Sequence, residues 1–458
     1  MTFVRKPLAV ALVATGLVLS SHARADDAAL QKRLDAVEAQ VRALQDELAR
    51  VRADAAGAKA AADTAAQSAR TATAAVAATP APVAGAPVAS AAMAAAPAAA
   101  PPYAFPQIGP DTVLTSYGEI QYSRPTNATA ETTADVGRFV IGLEHRFSDK
   151  TRMAAELEVE HAVSSADDSG EVEVEQAYVE HQFSDIISGK AGLFLMPIGL
   201  LNEYHEPTAY YGVFRNFVET AIIPTTWREI GLGSKFALDN GVTLEAGVTT
   251  GFDLAKWDPN SSEGLESPLG SIHQEGQLAR AKDLSVYGAV NWRGVPGLLV
   301  GGSVFYGGAG QGQDFPGNDA RVTLYEGHVR WTPGAWDLSA LYARGEISNT
   351  AALNASFAGA PYPVPSAFDG WYAQAAYHLW SDGGMSFAPF ARYERLNTAK
   401  AYEGIPQGFG PAPTPYTRVT TVGFNYYLNP NVVFKADYQW SQPDNSKNRL
   451  DLGVGYAF

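Results

Sequence analysis

The sequence predicts an all-β transmembrane chain: an antiparallel up-and-down β-barrel of about sixteen strands, preceded by a helical coiled coil and an Ala/Pro-rich linker. Three observations carry that expectation. From about Asp111 onward, segments of roughly ten residues alternate apolar with polar side chains. The connections between them are short and long in turn. The last segment ends on an aromatic, Phe458, with Leu450, Leu452, Val454 and Tyr456 on the same face. Composition agrees, because 43 Gly, 28 Pro, 21 Tyr, 20 Phe and 8 Trp favour strands and turns over helical bundles.

The chain opens with Arg5 and Lys6, an apolar run from Leu8 to Leu19, and small residues at Ala23-Arg24-Ala25. This is the pattern of a secretory signal peptide over 1–25, and the run is too short to cross a bilayer as a helix. A coiled coil is expected over 26–78. Leu30, Leu34, Val37, Val41, Leu44, Leu48 and Val51 make an apolar seam, which Ala55, Ala58, Ala62, Ala65 and Ala69 continue. Residues 79–102 turn to Ala, Pro, Val and Ser, an extended and semi-rigid spacer. The barrel then occupies 103–458.

Within the barrel region, Arg138–Phe147, Thr151–His161 and Val432–Gln442 each set an apolar face against a charged one. Tight turns fall at Ser148-Asp149-Lys150, Ser184-Asp185, Asp239-Asn240-Gly241, Gly294–Gly297, Pro333-Gly334, Ser381–Gly384 and Asn429-Pro430-Asn431. Between them lie Pro197–Glu229, Gly251–Lys282, Gly307–Arg321, Glu346–Asp369 and Asn397–Thr414. Short turns on one side and long loops on the other are what a barrel in a bacterial outer membrane requires. An even strand count leaves both chain ends on the short-turn, periplasmic side.

Several function classes are excluded. The absence of cysteine removes disulfide frameworks and thiol chemistry, and a net charge of −15 argues against nucleic acid as partner. The eight histidines are scattered without triad or metal spacing, so no enzyme, catalytic residue, metal or cofactor is expected. His145, His161, His181 and His378 read as structural residues near strand ends.

A barrel of this width is a poor filter by itself, so selectivity falls to a loop folded inward and to charges on the wall. The third long connection, Pro197–Glu229, is the expected constriction, through Glu203, His205, Glu206, Tyr210, Tyr211, Arg215, Glu219, Trp227 and Arg228. The expected pore wall comprises Arg138, Glu144, Arg146, Glu156, Glu158, Glu160, Lys235, Glu326, Arg330, Arg392, Glu394 and Lys435, with Glu119 and Asp437 also facing inward. Basic and acidic groups on opposing sides would set a transverse field, while simple pairing along the wall is the alternative. Glu171, Glu173 and Glu175 form an acid ladder suited to divalent cations that bridge lipopolysaccharide.

Gly192–Gly199, followed by Asn202–Pro207 and Ile222–Glu229, resembles the phosphate-selective porin O and P family, best along Tyr117–Leu238. The resemblance implies a trimeric barrel for passive diffusion of small polar or charged solutes, anions such as phosphate among them, past an inward third loop. Against an anion filter stands the acid surplus, which the barrel carries whole, because residues 1–102 are slightly basic. The terminal strand, with Tyr456 and Phe458, resembles the signal read by the barrel-assembly machinery. Expected partners are outer-membrane lipid, lipopolysaccharide, two further copies of the chain and that machinery, with peptidoglycan open through the coiled coil. A structural tether between envelope and cell wall is the alternative function.

Overall fold

The structure, a computed structural model, describes residues 109–458 apart from 166, 167, 169, 358, 406–410, 412 and 413, together with Arg42. The leader, coiled coil and linker therefore lie outside the described residues, Arg42 excepted.

The strands are β1 (Thr112–Pro125), β2 (Thr133–Ser148), β3 (Thr151–Glu160), β4 (Val172–Ser184), β5 (Ile187–Leu195), β6 (Arg228–Ala237), β7 (Val242–Thr249), β8 (Ser285–Val295) and β9 (Leu298–Gly308). They continue as β10 (Arg321–Trp331), β11 (Trp336–Ser348), β12 (Pro365–Tyr377), β13 (Trp380–Asp382), β14 (Met385–Tyr402), β15 (Thr417–Asn429), β16 (Val432–Gln442) and β17 (Arg449–Ala457). Successive strands pair antiparallel, except that β12 and β13 both pair with β14 and not with each other. The short β13 continues β12 along the same edge of β14, so the two form one stave and the barrel has sixteen. Tyr117 opposite Ala457 closes β1 onto β17.

Alternation sets the two surfaces. On β2, Phe139 and Ile141 are 41% and 40% exposed, whereas Arg138 and Val140 between them are 2% and 0%. Inward side chains this deeply buried show that the ring is filled at their level. Outward, Tyr306, Tyr325, Tyr342, Trp371, Tyr393 and Trp440 stand near the long-loop end, and Phe147, Phe183, Trp292, Trp331, Trp336 and Trp380 near the other. Two aromatic girdles bounding an apolar belt are the marks of a bilayer-spanning barrel.

The connections alternate as expected, short at 149–150, 185–186, 238–241, 296–297, 332–335, 383–384 and 430–431, and longer at the other end. Strands reach further toward the long loops than the sequence suggests. Glu346 to Ser348 complete β11, Pro365 to Asp369 begin β12, and Asn397 to Tyr402 extend β14.

The apolar core lies inside the ring. Trp227, Ile222, Ile223, Phe252, Leu254, Leu269, Ile272, Leu353 and Val364 come from long loops, and they pack on inward-facing Phe305, Leu324, Leu341 and Phe368. On this side the lumen is dry rather than water-filled.

Candidate pore constriction

The third long loop, residues 196–227, leaves β5 and returns into β6 through a tied neck. The Asn202 amide donates to the carbonyls of Met196 and Trp227, each at 2.8 Å, and its oxygen accepts the Trp227 N–H at 2.8 Å. Glu219 is the second tie. It accepts the N–H groups of Leu200 and Leu201 at 2.7 and 2.8 Å, the Asn216 amide at 3.0 Å and the Tyr372 hydroxyl at 2.8 Å. Asn216 in turn accepts the Glu219 N–H at 2.8 Å, a reciprocal pair of the capping-box kind at the entry to the turn Val218–Ile222. Burial raises the Glu219 carboxyl above its ordinary value despite these donors. Gly199 has φ +84°, and a Cβ there would stand 2.5 Å from the Glu219 carboxylate, so only glycine suits this bend.

Beyond the neck the loop lies against the inner wall, and wall side chains grip its backbone. Arg138 donates to the His205 carbonyl at 2.5 Å, Arg392 to the Tyr211 carbonyl at 3.0 Å, and Asn425 to the Tyr210 carbonyl at 2.9 Å. Asp437 accepts the Val213 N–H and Glu394 the Phe217 N–H, both at 2.6 Å. Loop side chains return the contacts. Tyr210 donates to Glu119 at 2.6 Å beneath the Lys435 ammonium, which stands 3.5 Å above its ring. Tyr211 donates to Asp337 at 3.1 Å, and His205 lies 2.6 Å from Glu175 and 2.8 Å from the Tyr117 hydroxyl. Such charge-assisted contacts contribute roughly 1.5–3 kcal/mol each.

These contacts decide which charges meet water. Arg138, Arg392 and Lys435 face inward as expected, yet they are only 2–4% exposed because each holds the loop. Glu119, Glu158, Glu326 and Glu394 are buried with them. Arg138 pairs with Glu119 at 3.0 Å, Arg330 with Asp337 at 2.7 Å and Arg392 with Glu394 at 2.7 Å. The wetted wall is the β2–β7 side. There Glu144, Arg152 and Glu180 run in series at 3.2 and 2.7 Å, and Lys190 and Lys235 flank the buried Glu245 at 3.5 and 3.0 Å. Glu156, Glu160, Glu203 and Glu206 are half-buried on the same side, with Glu203 3.7 Å from Lys190. Arg146 is exposed at the short-turn end of β2. Arg215 is half-buried, donates to Thr226 at 3.1 Å and has no ion pair among the described residues. Burial, then the neighbouring Arg138 charge, lower its guanidinium pKa.

Three placements differ from the sequence reading. Arg228 is not a loop residue: it begins β6, is 3% exposed, and pairs with Glu173 and with Glu275 at 3.2 Å, joining β4 to the loop 250–284. Trp227 is fully buried among Phe252 and Phe305, at ring distances of 5.1 and 4.8 Å, and belongs to the core. The acid ladder is dismantled, since Glu175 is buried against His205 and Glu173 is taken by Arg228, leaving Glu171 alone exposed. Asn202, Asn425, Tyr117, Asp337 and Tyr372 were not singled out by sequence. Only the Asn216-to-Glu219 spacing carried a local signal. Phe458 pairs its backbone with Ser116 at 2.9 and 3.0 Å and stacks on Tyr456, sealing the ring with both rings on the outer face.

A closed antiparallel barrel with sixteen staves, an apolar outer belt and a long third loop laid inside the ring is a bilayer-spanning β-barrel, the fold that outer-membrane porins share. Residues 309–454 match the model of the family described as phosphate-selective porin O and P, about a third of the chain. The matched region is the C-terminal part of the barrel, not Tyr117–Leu238, where the resemblance looked best. A protein of Aquifex aeolicus (strain VF5), described as uncharacterized, is 27% identical over 341 residues, 72% of this chain and 76% of that one. OmpF of Salmonella typhi, solved in complex with daunomycin, aligns with a TM-score of 0.53 at 14% identity over 76% of this chain and 97% of its own, a likeness of fold. The channel DcaP of Acinetobacter baumannii aligns with a TM-score of 0.47 at 12% identity over 76% and 97%.

Proposed function

We propose that the chain is a trimeric porin for passive diffusion of small polar or charged solutes, with the loop 196–227 as its constriction. Solutes pass on the β2–β7 side, between that loop and the wetted wall. The observation that carries this reading is the placement of the loop, gripped by side chains of β1, β2, β4, β11, β12, β14, β15 and β16, while Glu144, Arg152, Glu180 and Lys235 on β2–β6 stay accessible. On that side carboxylates outnumber cations. Phosphate and other anions are therefore disfavoured unless Arg215 draws them in, and the family's description alone does not assign anion selectivity here. The same reading sets the long loops outside the cell, the N-terminal rod in the periplasm, and the rod's self-association as the source of the trimer. The barrel fold and the porin family model matched over residues 309–454 support a channel over an enzyme.

Planar-bilayer recording on the purified full chain tests the proposal. Discrete conductance steps are expected, with a reversal potential under a KCl gradient that favours K+ over Cl−. Replacing Arg215 by alanine is expected to increase that cation preference. Absence of steps would leave only the tether role, and a chloride preference would overturn the assignment of the conducting side.

A further inference from the structure

Charge appears on the outer surface of the barrel just beyond the girdle at the long-loop end. Arg344 there is paired with Glu346 at 2.7 Å. Asp369 is bound by Lys400 and by the Tyr416 hydroxyl at 3.0 Å. Arg395 and Arg418 are different. They stand directly opposite each other on β14 and β15, on the face that carries Tyr393 and Val422 toward lipid. Neither has a carboxylate partner among the described residues, although Arg138 and Arg392, which hold the loop inside the ring, do. Arg395 is fixed over the Tyr416 ring at 3.7 Å, with Trp371 opposite it on β12.

Two like charges facing each other across a strand pair repel, and a lipid-facing surface screens them less than water does. An anion held between them removes that cost. Paired guanidiniums present forked donors that match the oxygens of a phosphate. Trp371 and Tyr393 mark the interface, so the pair sits at headgroup height with the apolar belt beneath it. We propose that Arg395 and Arg418 clamp a phosphate of a phosphorylated outer-leaflet glycolipid whose acyl chains lie along β14 and β15. The clamp rests on the orientation proposed above, and it replaces the acid ladder as the lipid contact.

Native mass spectrometry of the full chain in detergent, with bisphosphorylated lipid A as probe, tests it. A retained lipid is expected, with at least a tenfold loss of occupancy in R395Q/R418Q and a similar loss when the lipid's phosphates are removed. R395K/R418K is expected to restore part of the binding. Wild-type occupancy in a folded R395Q/R418Q barrel overturns the clamp. So does displacement of the lipid by equimolar inorganic phosphate, or loss of association between copies in place of lipid loss. If the double variant does not fold, R418Q alone, at an exposed side chain, gives the same reading. Ser446→Cys in this cysteine-free chain, probed on intact cells, separates the two ideas. No labelling overturns the orientation, whereas labelling with unaltered lipid occupancy overturns the clamp alone.

Discussion

Glu219 collects two backbone N–H groups, an amide and a hydroxyl at the neck of the third loop. Replacing it with alanine leaves those donors buried without an acceptor, which costs about 1–3 kcal/mol for each one that stays dry. Glu219→Ala should therefore lower the urea midpoint of the barrel in lipid vesicles and add gating noise to single-channel traces. A quiet channel of native stability would show that water replaces the carboxylate. Asn202→Ala should act in the same direction, because it unties Met196 from Trp227. The Asn216-to-Glu219 relation is visible in sequence, since a capping pair is local. Tyr372 and Asn425 are not, because their partners lie 153 and 215 residues away and depend on closure of the ring.

The strands were legible because one face meets lipid and the other does not, which writes a period of two into the chain. Their loopward ends were less so. Once a strand leaves the bilayer both faces meet polar surroundings or neighbouring loops, and the alternation fades, as over Asn397 to Tyr402 on β14. The start of β6 fails for the opposite reason. Trp227, Arg228 and Glu229 are all buried under the loop 250–284, so the run shows no alternation. Shortening the third loop by deleting 203–215 removes most of the segment held against the inner wall. Single-channel conductance should rise at least twofold, and an unchanged value would mean that some other element narrows the pore.

At the scale of the molecule, deletion of residues 26–102 separates assembly from conduction. If the rod holds three copies together, the truncated barrel should keep its unit conductance and lose heat-resistant oligomers on semi-native gels. A persistent trimer would place the association in the barrel itself. Net charge misleads at this scale. The chain's −15 sums every charge in the sequence, those of residues 1–102, of the outer surface and of the groups that hold the loop included, and only charges facing water inside the ring would act on a passing ion.

Sequence alone determined the closed ring, its outer belt, the asymmetry of its connections and which loop is long enough to enter it, since these follow from local alternation and turn chemistry. Tertiary structure decided which of the inward charges meet water. That outcome depends on where the third loop comes to rest against the inner wall, and contacts between residues hundreds of positions apart leave no periodic trace along the chain.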